Sequence, residues 1–110
     1  MTEIDPAGRC AHEAGAKLDQ GKVRYSLIPP GPLKLLAALY TYGTQKYSEG
    51  GWKEVPAGEK RYLDALMRHL EAYRGGEWLD SETGLPHMIA VAWNAFAIVY
   101  LELSRSGEGI

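Results

Sequence analysis

A chain of 110 residues with 45% hydrophobic and 24% charged residues has the size and balance of one folded domain, which excludes wholesale disorder. Its formal net charge of −2 excludes a general nucleic-acid coat or a polybasic membrane binder, while leaving room for a local basic pocket. Cys10 is the single cysteine, so no internal disulfide forms, and Met1 to Asp5 lack the basic-then-apolar pattern of a signal peptide; both features point to a reducing cytoplasm.

Residues 1–28 scatter Gly8, Gly15, Gly21 and Pro6 among charges without a period, the pattern of an irregular arm, with a short helical turn expected near Cys10 to Ala14. Ile28-Pro29-Pro30-Gly31-Pro32 is a stiff turn, because proline fixes φ and biases the residue before it to extended geometry. Pro32 suits a first helical turn. Helix one is expected over Leu33 to Tyr47, with Leu35, Leu36, Leu39 and Tyr42 on one stripe. Trp52 to Gly58 reads as a loop. Helix two is expected over Glu59 to Arg74, its inward stripe being Tyr62, Leu63, Leu66, Met67, Leu70 and Tyr73, and Gly75-Gly76 stops it. After a polar loop from Glu77 to Leu85, helix three is expected over Pro86 to Ser104, with Gly107 and Gly109 in a frayed tail. The predicted organisation is a single all-α domain: an arm over 1–28, a core of three main helices over 29–105, and a tail over 106–110.

Helix three is apolar on nearly every side, through Met88, Ile89, Val91, Trp93, Phe96, Ile98, Val99 and Leu101. Such a helix must be surrounded. Two further helices of one short chain cannot surround it, so the reading is an oligomeric helical bundle, with twofold symmetry as the first expectation; an arm wrapping the exposed side is the alternative. The apolar run Met88 to Leu101 is broken by Asn94 and too short for a bilayer, so no membrane partner is expected.

The richest polar region straddles helices two and three: Arg68-His69, Glu77, Asp80, Glu82 and Pro86-His87. His69 shares a side of its helix with Tyr62, Leu66 and Tyr73. His87 and Asn94 lie two turns apart on one face, with the small Ala90 between them. Two imidazoles with Glu77 and Asp80 suit Mn, Fe or Zn, whereas magnesium would favour the carboxylates alone. The bland reading is equally physical: an inward histidine held by hydrogen bonds, solvated loop acids, and an Asn94 amide that stitches helices together. In the arm, Lys17, Lys22 and Arg24 stand among Gly15 and Gly21, where backbone N–H groups could approach an anion. This is not a Walker-type loop, because Val23 stands where a hydroxyl residue would be needed. Lys46-Tyr47 and Trp52 form a third group that could stack on a base, or could close the helix-one end of the core. Cys10 and His12 lack any orienting group for nucleophilic chemistry.

Taken together, these residues resemble a phage-associated family, the N-terminal domain of dATP/dGTP diphosphohydrolase, related to MazG-like all-α nucleotide pyrophosphohydrolases. The likeness runs from about Gly15 to Glu102. It rests on Gly15-Ala16-Lys17-Leu18-Asp19-Gln20-Gly21-Lys22, Leu27-Ile28-Pro29, Tyr42-Gly43-Thr44-Gln45-Lys46-Tyr47 with Trp52, Arg61, Ala65, Arg68-His69-Leu70, Gly76-Glu77, Asp80, Glu82, Gly84-Leu85-Pro86-His87 and Asn94. It implies a helical homo-oligomer with a nucleotide pocket between helices. Lys17, Lys22 and Lys46, with Arg24 and Arg68, would contact phosphate. Tyr47 or Trp52 would stack on the base, and Asn94 would line the pocket. His69, Glu77, Asp80 and His87 would form the catalytic site, with Glu77, Asp80 and His87 holding Mg or Mn. The implied reaction splits the α–β phosphoanhydride of a deoxynucleoside triphosphate into the monophosphate and pyrophosphate, the metal neutralising phosphate charge.

The chain also departs from that pattern. MazG-like enzymes resemble one another in a Glu-x-x-Glu on one helix and a Glu-x-x-Asp on the next, whereas here no acid stands between Leu33 and Tyr47. A second reading follows: a non-catalytic protein that sequesters a nucleotide or nucleotide-derived small molecule, such as a host anti-phage defence messenger. Under either reading the expected location is the cytoplasm, that of the host if the chain is phage-encoded.

Overall fold

The computed structural model of the chain describes residues 3–107. Three helices dominate: α1 over Pro30–Lys46, α2 over Gly58–Arg74 and α3 over His87–Ser106. Short 3-10 turns stand at Tyr25–Leu27 and Gly51–Glu54. Among the described residues there is no strand, only an isolated antiparallel bridge between Leu79 and Pro86.

The punctuation explains the boundaries. α1 starts three residues before the expected Leu33, with Pro29 as its extended cap, because a first turn needs no N–H and so accommodates Pro30 and Pro32. α2 ends at Arg74, and Gly76 takes the left-handed φ of 102° while its N–H donates to the Tyr73 carbonyl at 2.9 Å. Pro86 is the cap of α3 instead of its first residue. Gly107, at φ 79°, closes the helix, and the expectation of fraying at Gly109 lies outside the described residues. The turn expected near Cys10 to Ala14 is present as successive turns, with Glu13 N–H on the Cys10 carbonyl at 2.9 Å, and not as a helix.

α1 and α2 both pack against α3 and not against each other. α2 and α3 run antiparallel, as the opposite drift of their neighbours shows: Gly58 meets Leu101, while His69 meets His87. Close approach depends on small residues, since Ala90 and Ala97 are the buried apolar positions of α3 and a Cβ on Gly58 would stand 3.0 Å from Leu101. Arg105 on α3 pairs with Glu59 on α2 at the far end. By length and composition alone α3 would also cross a bilayer, a longer span than the run Met88 to Leu101; here α1 and α2 lie along it.

The arm folds on itself. Asp5 is buried and accepts from the Ala7 and Lys17 amides at 2.8 and 3.2 Å. The Gln20 amide donates to the Ile4 carbonyl at 2.8 Å, and Lys22 pairs with Glu3 at 2.9 Å.

One expectation needs correcting. Of the α2 stripe, Tyr62 and Leu66 turn inward, but Leu63, Met67, Leu70 and Tyr73 are exposed. The α2 periodicity is wider than one chain can bury. Accordingly the chain is open: its radius of gyration is 19.0 Å, against about 13 Å for a compact domain of this length. Its accessible surface is 8373 Å², against roughly 6,000 Å² for a compact monomer of this mass.

Ala57 is the one described non-glycine residue with positive φ, at 54°, and it caps α2 without a side-chain hydrogen bond. Left-handed geometry is disfavoured for alanine by about 1 kcal/mol and is free for glycine. Ala57→Gly is therefore expected to stabilise the fold by about 1 kcal/mol, read as a higher urea midpoint at unchanged slope.

Candidate functional site

Because α1 and α2 stand apart on α3, a cavity of about 1060 Å³ opens between them, at the upper end of the range for small-molecule sites. Trp93 and Asn94 of α3 form its floor. Tyr40 and Lys46 of α1, with Tyr47 just past its end, line one side, Arg61, Ala65, Arg68 and His69 of α2 the other, and Asp80, Glu82 and Pro86 one end.

The apolar half is aromatic. Trp93 is the hub, with ring centroids 5.3 Å from Tyr40, 5.7 Å from Trp52 and 5.5 Å from Tyr62, mostly edge to face. Trp52 also meets Tyr100 edge-on at 5.1 Å, and its carbonyl accepts the Tyr62 hydroxyl. Burial raises the phenol pKa of both Tyr40 and Tyr62, so both stay protonated donors. Trp52 thus joins the core while still lining the cavity, whereas Tyr47 stands exposed at the rim.

The basic half lies on α2 and at the end of α1. Arg61 and Arg68 are seven residues apart on one face, with the small Ala65 between them, and all three line the cavity. Arg61 donates to the Pro56 carbonyl at 3.3 Å, while Arg68 forms no ion pair among the described residues. Lys46 crosses to Glu82 at 3.1 Å, and that hydrogen bond raises its pKa. An exposed pair of this kind is easily exchanged for another anion.

At one end stands a compact titratable cluster. The Nδ1 atoms of His69 and His87 are 2.9 Å apart, and Asp80 Oδ2 lies 3.4 Å from the first and 4.0 Å from the second. The loop that delivers Asp80 is ordered. Its amide donates to the Leu85 carbonyl at 2.8 Å, its Oδ1 accepts the Glu82 amide at 2.7 Å, and the His87 amide donates to the Trp78 carbonyl at 2.9 Å. Glu77 lies on the other side of the His87 ring, with Oε1 3.2 Å from Nε2. That contact is close enough for ion pairing but lies off the line a hydrogen bond requires, so the buried Nε2 goes without a hydrogen bond. An orphaned buried nitrogen costs about 1–3 kcal/mol.

This donor set fits a metal ion. His69, Asp80 and His87 each offer one ligand atom, all within 4.8 Å of one another. Metal–nitrogen bonds of about 2.0–2.1 Å put tetrahedral ligand atoms roughly 3.4 Å apart, close to the separations found. Two imidazoles and one carboxylate favour a transition metal over magnesium. Burial lowers the His69 pKa, Asp80 opposing and His87 and Arg68 assisting, which keeps its ring neutral as a ligand must be.

The sequence-predicted residues thus separate. His69, Asp80 and His87 come together, Glu77 faces the outer nitrogen of His87, and Lys46, Tyr47, Trp52, Arg68 and Asn94 line the cavity. Lys17, Lys22 and Arg24 lie on the arm and do not line it. Asn94 is buried, but its amide donates to Ala90 of its own helix at 2.8 Å, so no bond from it stitches two helices among the described residues. Arg61, Tyr40 and Trp93 enter the site without having been singled out as binding residues. Only Arg61 carried a signal, its seven-residue spacing from Arg68.

A family model described as dATP/dGTP diphosphohydrolase, N-terminal, matches residues 12–109. A protein of Salmonella phage PMBT28 named dATP/dGTP diphosphohydrolase is 36% identical over 91 residues, which is 83% of this chain and 31% of that protein. The chain therefore spans about a third of the length of that relative. No solved structure matches it.

The His69 shift sets a pH dependence in metal-free protein. Its folded pKa lies below the ordinary 6.5, so just below pH 6.5 the unfolded chain binds more protons than the folded one. Stability present above that pH is expected to be lost as the pH falls through it. Melting temperatures measured from pH 8 to 5 should show the loss, and His69→Gln should flatten it.

Proposed function

Since the chain belongs to the dATP/dGTP diphosphohydrolase N-terminal family, we propose that its cavity takes a purine deoxynucleoside triphosphate and that the chain hydrolyses it to the monophosphate and pyrophosphate. The observation that carries this reading is that His69 and Asp80 line one end of a cavity that also holds Arg61, Arg68 and an aromatic wall, with the buried His87 packed against that pair from behind. His69, Asp80 and His87 would hold a divalent metal, which when bound neutralises phosphate charge and lowers the pKa of a water molecule. The two histidines favour manganese over magnesium as that metal.

The side chains divide the remaining work. Arg61 and Arg68 present planar, permanently charged forks to the phosphates. Lys46 can leave Glu82 for the same negative charge, which places its phosphate contact at the mouth of the cavity. The aromatic wall offers apolar area and a rim stacking surface, Tyr47, for the base. Glu77 would act as a positioning residue: its carboxylate, 3.2 Å from Nε2 but off the hydrogen-bond line, favours a proton on that nitrogen through charge alone and so leaves the Nδ1 lone pair for the metal. The proposal includes a homo-oligomer as the working form.

Sequestration without turnover remains the second reading, favoured by α1, which brings no carboxylate to the cavity wall. The two are separated by incubating the protein with dATP or dGTP and Mn²⁺ and measuring pyrophosphate. Release is expected, falling about 100-fold or more in His87→Ala and in Asp80→Asn. Glu77→Gln should weaken manganese affinity about 10- to 100-fold by calorimetry. No pyrophosphate from any deoxynucleoside triphosphate, together with retention of one through gel filtration, would reject hydrolysis in favour of sequestration.

A further inference from the structure

We propose that Asn94 reads the base, and that its side-chain amide makes the cavity prefer adenine to guanine. The inference rests on the cavity taking a purine nucleotide, and not on that nucleotide being hydrolysed there.

The amide is oriented before any ligand arrives. Asn94 is only 5% exposed and lines the cavity floor. Its Nδ2 donates to the Ala90 carbonyl, one turn back on the same helix, at 2.8 Å. Turning the amide over would set Oδ1 against that carbonyl, two acceptors with no proton between them, so the helix fixes which atom points where. Among the described residues no donor reaches Oδ1, and Nδ2 has a second N–H besides the one given to Ala90. Oδ1 is nevertheless not sealed in as the orphaned His87 Nε2 is, so it opens on the cavity. A buried carbonyl without a donor costs free energy, and a ligand that supplies one recovers it.

Position and chemistry select the part of a nucleotide that meets this amide. Phosphate oxygens only accept, so Oδ1 repels them. Asn94 stands seven residues beyond His87 on α3, about 10 Å along the helix from the metal-ligating cluster. Ala90, the small residue between them, keeps the floor clear. Trp93, the hub of the aromatic wall, adjoins Asn94 in sequence and lines the same floor. A flat ring lying against that wall brings its edge to the amide.

The edge decides the base. An amide presents one acceptor beside one donor. Adenine answers with its N6–H beside N7 on one edge and beside N1 on the other, so it matches whichever edge enters. Guanine shows two acceptors, O6 and N7, on the first of these edges and matches only through the second. The pairing therefore favours adenine.

The experiment is calorimetry with Mn²⁺ and the α,β-methylene analogues of dATP, dGTP and purine deoxyriboside triphosphate, which cannot be split at the α–β bridge and so report binding alone. The wild type should hold the adenine analogue about 10-fold or more tighter than the guanine analogue, and than the unsubstituted purine, which lacks the N6 amine. Asn94→Leu, similar in size but without the amide, should bring the three affinities together while helical circular dichroism is retained. Asn94→Ala takes its place if that variant loses helix. Equal affinity of the wild type for all three ligands, or a preference for guanine, would overturn the proposal and leave the nucleotide reading standing. So would an adenine preference that survives removal of the amide, or a loss of the same size for every ligand, the mark of a sugar contact or a structural role. Failure of all three to bind would reject the nucleotide reading and this inference with it.

Discussion

The packing of α2 on α3 carries everything else, because it is the contact that fixes where the two histidines meet. Small side chains at Ala90, Ala97 and Gly58 bring the helices close. That closeness sets His69 against His87 at one end and Leu101 against Gly58 at the other. α1 then docks on the same helix from a different angle, and the wedge left between α1 and α2 becomes the cavity. A larger residue along the α3 seam would push the helices apart and widen the gap between the imidazoles, so one packing constraint couples core density to site chemistry.

The site divides its labour by depth. At one end a half-buried carboxylate and two imidazoles crowd together, and burial makes a charged ring unfavourable there. Nearer the solvent, permanent cations wait on long side chains. Under the proposed function a triphosphate would have the matching polarity: a charged tail for the arginines and for any cation held at the cluster, and a flat, weakly polar base for the aromatic wall. The acid-poor α1 wall is the part of the site that departs from the carboxylate pattern of MazG-like enzymes, so a metal, under the proposed function, would have its ligands on α2, α3 and the loop between them.

Much of this was legible in the residues. The three helices follow from proline and glycine punctuation to within three residues at each end, since those residues constrain φ directly. His69 was placed on the inward side of its helix, while His87 was placed only at the start of helix three on one face with Asn94. What the sequence did not reveal was the order of the loop from Glu77 to Pro86, because that order comes from backbone hydrogen bonds and a carboxylate turn that leave no periodic trace. The α2 stripe was misjudged for a related reason: apolar spacing shows which residues avoid water, and not whether the cover comes from the same chain. Lys17, Lys22 and Arg24 carried the right charge for a phosphate, but Asp5, Glu3 and the arm's own turns tie that segment to itself.

The aromatic wall has a practical corollary. Two of the three tryptophans, Trp52 and Trp93, line the cavity in edge contact with tyrosines, while Trp78 stands in water outside it. The molecule therefore contains its own optical gauge. Whatever enters the cavity must alter the emission of the two shielded indoles, while the third supplies a steady red-shifted background, so occupancy can be followed by intrinsic fluorescence without attaching a label.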